Sequence, residues 1–313
     1  MKPVILDMDP GVDDALAMLL ALRSPELKVV GLTTASGNVE LRHCTRNALR
    51  VLSLAEREDI PVHAGAARPL VRSPLHAERV HGQDGLGDAG IPDAGREADS
   101  EDGVGFLVRT LDARPGEIAV IATGPLTNLA LAERLSPGIL KKAREVIVMG
   151  GSVREQGNAT PTGEFNFVAD PHAAREVLRS GAGLTLVPLD VTHRCLLTDT
   201  AFRQRIAPKR TPVSDFVVRT TALCRAYMKE SEGVEGFHLH DPLSVGMGID
   251  PSFCATETVR LDVETEGMLT SGQVVVDRRR YADEGRLKGW RVRVCVGVDR
   301  RRVVGFFLGR ILD

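Results

Sequence analysis

Short runs of aliphatic and β-branched residues recur along this chain at Pro3–Leu6, Leu27–Thr34, Ile118–Ala122, Val146–Met149 and Leu184–Leu189. Helix-length segments stand between them, at Asp13–Leu22, Val39–Leu54, Leu126–Leu135 and Pro171–Leu178. A strand that is apolar on both pleat faces is satisfied only inside a sheet covered on both sides, and helical crossovers make such a sheet parallel. The pattern therefore predicts an α/β fold: an open, mostly parallel sheet with helices on both faces.

Two segments break the rhythm. Arg68–Ser100 is rich in Gly, Pro, His and Asp and is too long for an ordinary connection, so it is a candidate functional loop. After Pro251 the pattern turns to alternation, at Thr258–Val263, Gln273–Val276 and Val292–Val296. Alternation suggests a few antiparallel strands at the sheet edge before a final helix. No low-complexity linker or internal repeat divides the 313 residues, which read as one domain over 1–313.

Charge and cysteine usage narrow the function. With 40 basic and 42 acidic side chains the net charge is −2, which leaves no basic excess for a nucleic-acid backbone. The longest apolar run near the N-terminus, Ala15–Leu22, falls well short of the ~20 residues of a membrane span. Asp7 and Asp9 interrupt the start too early for a signal peptide. Five scattered cysteines with no CxxC pair read as reduced thiols, and the expected location is cytoplasmic.

Open parallel sheets bind ligands in the crevice outside the carboxyl ends of their strands. The polar residues ending the apolar runs are Asp7 and Asp9, Gly37-Asn38, Thr123-Gly124, Gly150-Gly151 and Asp190. The densest signal is Asp7-Met8-Asp9-Pro10-Gly11-Val12-Asp13-Asp14, four carboxylates within eight residues. Asp7 and Asp9 are two apart and leave a strand on the same side. Pro10-Gly11 turns the chain, and Asp13 and Asp14 open the next helix. Mutually repelling hard oxygens suit Ca²⁺ or Mg²⁺. The plain alternative is an Asp-Pro-Gly turn with Asp13 as helix N-cap, which explains Asp9 and Asp13 but not Asp7 and Asp14. A strand ending in Asp-x-Asp also resembles the haloacid-dehalogenase-like, Mg²⁺-dependent phosphatases. That family expects Thr or Val where Gly11 stands, and its later Lys and acidic pair have no clear counterpart here.

A fuller match exists. Asp7-x-Asp9-Pro10-Gly11-x-Asp13-Asp14-Ala15 resembles the signature of the inosine–uridine-type nucleoside hydrolases. The resemblance continues through Thr33-Thr34-x-x-Gly37-Asn38, Thr123-Gly124-Pro125-Leu126-Thr127-Asn128, Met149-Gly150-Gly151, Gly157-Asn158, Glu164-Phe165-Asn166 and His240-Asp241-Pro242. These blocks keep the family's order over residues 4–250.

The resemblance implies an enzyme that hydrolyses the N-glycosidic bond of ribonucleosides to ribose and free base. It implies a Ca²⁺ held by Asp9, Asp14, the main-chain carbonyl of Thr123, and Asp241, with Asp9 also the general base toward a metal-bound water. Asp13, Asn38 and Asn166 would hold the ribose hydroxyls; Asn158 and Glu164 would grip the 5′-hydroxyl. Met149 belongs to the substrate-binding set, and Phe165 could turn its ring toward the sugar. Glu164 and Asn166 would share a face if their segment is extended. His240 is the implied proton donor to the departing base. His81, on the long loop, is a second base-side candidate, and Tyr227 is expected to reach the base from the segment before His240. The family also suggests a homo-oligomer, dimer or tetramer.

Three plain alternatives stand beside these roles. Asp241-Pro242 fits a helix start with Asp as N-cap, as do Asp170-Pro171 and Asp250-Pro251. Gly157-Asn158 fits a surface turn. The arginine clusters Arg278–Arg280 and Arg300–Arg302 read as solvated surface or subunit contacts. Aromatics make up only 4% of the chain, with Trp290 the single tryptophan. That speaks against a purine sandwiched between tryptophans and for inosine, uridine or pyrimidine nucleosides. A non-catalytic ribonucleoside-binding or sensing protein is the competing function class; Asp9, which a binder could lose, is present.

Overall fold

The structure is a computed structural model that describes residues 1–280 and 284–312. The chain begins β1 (Lys2–Met8), α1 (Val12–Leu22), β2 (Leu27–Thr34), α2 (Leu41–Leu54) and β3 (Val62–Ala64). It continues through α3 (Glu78–His81), α4 (Gly103–Ala113), β4 (Ala119–Ala122), α5 (Thr127–Leu135) and β5 (Glu145–Met149). Next come α6 (Phe165–Ala169), α7 (Pro171–Arg179), β6 (Leu184–Val187), α8 (Leu189–Thr192), β7 (Leu196–Thr198) and α9 (Asp199–Ala201). The last elements are α10 (Pro212–Glu232), β8 (Gly236–His238), α11 (His240–Ile249), β9 (Cys254–Val263), β10 (Val274–Val276), β11 (Trp290–Val298) and α12 (Arg300–Leu312).

Among the described residues nine strands form one sheet in the order β10-β9-β11-β6-β5-β4-β1-β2-β3, while β7 and β8 pair separately. From β3 through β6 to β11 every neighbouring pair is parallel; β9 runs antiparallel to both β11 and β10. The expected mixed sheet is therefore present, with its antiparallel strands at one edge. Alternate residues of the central strands enter two separate cores. Val4, Leu6 and Met8 pack on one face with α1, whereas Ile5, Val120 and Val148 pack on the other with α5 and α7. Both faces are covered, which is why the runs carry no polar alternation.

The strand order fixes where a ligand can enter. The chain winds from β1 outward to β3, then returns to place β4 on the opposite side of β1. The helices on either side diverge at that reversal and open a crevice beyond the carboxyl ends of β1 and β4. Asp9 follows β1 directly, and Thr123 follows β4.

Several boundaries differ from the sequence expectation. β1 runs on to Met8, so Asp7 lies inside the strand. The run expected at Leu184–Leu189 ends at Val187, because Pro188 turns the chain into α8. Strand β3 and helix α4 were not anticipated. β3 has only three residues, and the apolar face of α4 is interleaved with glycine. Both arginine clusters are exposed, and Arg302 bonds the Asp250 carboxylate.

Candidate functional site

Helix α1 starts at Val12, not at Asp13: Gly11 is the N-cap and Asp14, three residues on, accepts its main-chain N–H at 3.0 Å. This closure points Asp14 back to the strand ends. There its carboxylate also accepts from the Asn38 amide at 3.0 Å and the Thr123 hydroxyl at 2.7 Å. Asp9 Oδ2 accepts the Asn38 main-chain N–H at 2.7 Å, while its Oδ1 is buried with no hydrogen-bond partner. Gly37 and Gly124 allow this crowding. A Cβ at Gly37 would lie 2.0 Å from Asp9 Oδ2, and one at Gly124 would lie 2.7 Å from Oδ1.

Asp241 comes from the far end of the chain. The reading of Asp241 as an N-cap is corrected here: α11 already begins at His240, with Leu239 in the cap position. Asp241 therefore lies inside the first turn, and its carboxylate meets those of Asp13 and Asp14, one oxygen from each lying within 4.8 Å of the others. Asp170 and Asp250 do cap their helical turns. They do so away from the cluster.

Asp7 departs from the acidic cluster. Its Oδ1 accepts from the Thr33 hydroxyl at 2.5 Å and the Asn128 amide at 2.8 Å, and its Oδ2 is buried and unpartnered. It ties β1 to β2 and α5. Asp190, the other strand-end acid, accepts from the main-chain N–H groups of Val153 and Arg154 and does not line the cavity.

The electrostatics of the cluster are those of uncompensated charge. Burial, then the Asp14 charge, raises Asp9 well above the ordinary carboxylate range. Asp241 is raised well above it by burial, then by Asp13, Asp14 and Asp9. Burial and Asp14 push Asp13 up to about 7. Among the described residues no lysine or arginine forms an ion pair with this set. The nearest imidazole nitrogen, His81 Nδ1, stands 4.0 Å from Asp13. Converging carboxylates, two unpartnered buried oxygens and no organic counter-charge fit a hard divalent cation.

Above the cluster lies a cavity of about 420 Å³. Asp13, Asn38, Thr123, Met149, Asn166 and Asp241 line the end near the carboxylates. Asn166 donates its amide to the Thr123 carbonyl at 2.6 Å and to the Met149 carbonyl at 3.3 Å. Glu164 and Phe165 also line the cavity, but the expected extended segment is absent. Glu164 caps α6 by accepting the N–H groups of Asn166 and Phe167, and it also accepts that of Gly151. Burial outweighs those donors and pushes Glu164 up to about 7. Asn158 is exposed in a bend, as the surface-turn alternative has it, and it also lines the cavity and accepts the Phe165 N–H at 2.9 Å.

The wall beside that end is built from the long loop, α10 and β8. His81 lines it, nearly buried, and its Nδ1 accepts the Val12 N–H at 3.1 Å. Burial lowers His81 to about 4, so the ring is neutral and carries its hydrogen on Nε2. His240 lines the same region, with Nδ1 2.8 Å from the Thr192 hydroxyl. Burial, followed by the neighbouring His238 and His193, holds it well below the usual histidine range. Tyr227 lines this wall as well; Trp290 does not, and stands 43% exposed on β11.

Sequence reasoning missed His76, His193 and His238. His76 lines the cavity and donates Nδ1–H to the Gly37 carbonyl at 2.9 Å. The rings of His193, His238 and His240 lie 5.2–5.5 Å apart, centroid to centroid. For His238 the signal was legible: Phe237-His238-Leu239-His240 alternates, so both histidines can face one way. His193 had no such neighbour in sequence.

The arrangement joins a cation-binding carboxylate cluster to a cavity walled by amide and hydroxyl donors and by neutral imidazoles. Comparisons with known proteins agree with it. Residues 4–305 match the family described as inosine-uridine preferring nucleoside hydrolase. An inosine-uridine preferring nucleoside hydrolase of Crithidia fasciculata is 36% identical over 100% of this chain and 96% of its own length. The pyrimidine-specific ribonucleoside hydrolase RihA of Salmonella enteritidis is 37% identical over 99% of this chain and 98% of its own. Among solved structures, a purine-preferring ribonucleoside hydrolase from Gardnerella vaginalis superposes with a TM-score of 0.92 at 32% identity, covering 99% of this chain and 98% of that one.

Proposed function

Because the chain belongs to the inosine-uridine preferring nucleoside hydrolase family, we propose that it hydrolyses the N-glycosidic bond of ribonucleosides, releasing ribose and free base. The observation that carries this reading is the meeting of Asp13, Asp14 and Asp241 beneath a cavity whose lining runs from Asn38 and Asn166 beside the carboxylates to Tyr227, Phe237 and His238 on α10 and β8. A nucleoside has the same polarity: vicinal hydroxyls at one end and a base that must leave at the other.

In this reading Asp9, Asp14, the Thr123 carbonyl and Asp241 hold the cation, which the family resemblance makes Ca²⁺ and which the all-oxygen donor set suits. Bound there, the cation supplies the positive charge that offsets the carboxylates and draws in the ribose diol. Asp9 Oδ1, free of any bond in the chain, accepts the proton of the attacking water. Water attacks C1′ on the face opposite the base, so the sugar is released with inversion. Asp13, Asn38 and Asn166 orient the ribose hydroxyls, Glu164 and Asn158 take the 5′-hydroxyl, and Met149 and Phe165 pack along the sugar. Carboxylate and amide oxygens stabilise the oxocarbenium-like charge that builds on the ring. On the base side His240 donates to the leaving base, with His81 and Tyr227 beside it. Inosine, uridine and pyrimidine nucleosides are the proposed substrates.

The chain is further proposed to act as a single domain, since Asp9 and Asp241 come from distant parts of it, and to assemble as a homo-oligomer. A cytoplasmic location is proposed from the five cysteines, all free and buried. No helix among the described residues is long and apolar enough to cross a membrane.

The test supplies Ca²⁺-loaded protein with inosine, uridine and cytidine and follows free base by chromatography, with a chelated control. No release from any of them would sink the proposal.

A further inference from the structure

Beside His240 the cavity is lined by two imidazoles for which the proposed reaction has no use, His193 and the more deeply buried His238. His238 lies on β8 opposite Leu196 and lines the cavity while only 7% exposed. Its two ring nitrogens differ sharply. Nδ1 is buried with no partner. Nε2 forms no hydrogen bond with any described residue and is not among the buried unpartnered atoms, so it is open to the cavity that the residue lines.

This asymmetry selects a tautomer. A buried N–H without an acceptor is rarer and costlier in proteins than an acceptor without a donor. Neutral His238 therefore keeps its hydrogen on Nε2, where the cavity can receive it. Burial, with the His193 ring beside it, lowers His238 to about 4 and keeps it neutral across the physiological range. The cavity thus holds a fixed donor at the base end, 5.5 Å from His240 between ring centroids.

We propose that His238 is a specificity-determining residue that donates Nε2–H to a ring carbonyl of the base and so selects oxo bases over amino bases. Uracil and hypoxanthine carry a carbonyl oxygen where cytosine and adenine carry an amino group. Against the carbonyl, His238 makes a hydrogen bond. Against the amino group, donor faces donor and both are left unpaired, the arrangement that discriminates most strongly in a desolvated site. The inference rests on the nucleoside hydrolase reading above and adds to it a residue that selects the base.

The test compares wild-type protein with His238→Phe, which keeps a flat ring without an N–H, and with His238→Asn, which restores a donor. Each is given uridine, cytidine, inosine, adenosine and p-nitrophenyl riboside, whose leaving group needs neither a proton nor a carbonyl contact. Wild type is expected to favour uridine over cytidine and inosine over adenosine in kcat/KM. His238→Phe should reduce both ratios by about tenfold, the effect of one neutral hydrogen bond, with p-nitrophenyl riboside cleavage within about twofold of wild type. His238→Asn should recover part of each ratio. Unchanged ratios overturn the assignment. So does an equal loss on all five substrates in both variants, which would make His238 a packing residue. Wild-type protein inactive on every nucleoside overturns the function and this inference together, whereas activity with unmoved ratios overturns this inference alone.

Discussion

Asp9 and Asn38 are bonded to each other twice, once through each main chain. Asp9 Oδ2 accepts the Asn38 main-chain N–H at 2.7 Å, and the Asn38 side-chain amide donates to the Asp9 carbonyl at 3.2 Å. One carboxylate oxygen is thereby fixed and the other, Oδ1, is left free. Asp9→Asn keeps the size and removes the base. Its kcat should fall by roughly 10²–10⁴, the range for loss of general-base catalysis, with the melting temperature of the chelated protein little changed. Steady-state kinetics beside thermal melts checks this, and a kcat within a few-fold of wild type would remove Asp9 from the proposed role.

The same crowding makes Gly37 sensitive. Gly37→Ala places a methyl group 2.0 Å from Asp9 Oδ2, closer than any real contact, and must displace the carboxylate. We expect a loss of about 1–3 kcal/mol in stability, typical of overpacking, together with loss of nucleoside cleavage. Denaturant melts and base release measure the two effects. A variant as stable and active as wild type contradicts the geometry.

Cation binding should appear as stability. Asp13, Asp14 and Asp241 gain a counter-charge only from a ligand, so Ca²⁺ at ~100 times its Kd should stabilise the fold by ~2.7 kcal/mol. The melting temperature of chelated protein should rise with added Ca²⁺. Asp241→Asn should blunt that response. Melting curves independent of Ca²⁺ would argue against a resident cation.

Asp7 links stability to pH with a defined sign. Burial raises it from an ordinary 3.8 to about 7, against the pull of its bonds from Thr33 and Asn128. The folded chain therefore holds the Asp7 proton more tightly than the unfolded chain. Its contribution is complete below about 4 and is lost as the pH rises through about 7. Asp7→Asn mimics the neutral form and escapes that loss. Measured with chelator present, the variant should gain on wild type by up to a few kcal/mol between pH 4 and pH 8. A difference that stays flat with pH would refute the assignment.

Much of this was legible in one dimension because it depends on local periodicity. Continuous apolar runs require a doubly covered sheet, and their polar ends, Asp9, Asn38 and Thr123, had to fall at its carboxyl edge. The acidic run Asp7–Asp14 marked a charge problem that short-range structure could not solve. Local pattern misled where a neighbour in space overrode it. Asp7 belongs to the same acidic run as Asp9, yet Thr33 and Asn128 hold it as a strut. Glu164 and Asn166 are two apart, but the capping of α6 prevents an extended segment. Asp241-Pro242 has the form of a helix cap, yet the cap is Leu239, two residues earlier.

The sequence by itself thus determined the layers of the fold and which strand ends bear polar groups, since both follow from spacing within a few residues. Only the tertiary structure decided which of those groups meet. Strand order brings β1 beside β4, and α11 carries Asp241 across more than 200 residues to Asp13 and Asp14. It also gathers His193, His238 and His240 at the base end. Charges and ring nitrogens act over a few ångströms, and that distance is set by the packing of elements far apart in the chain.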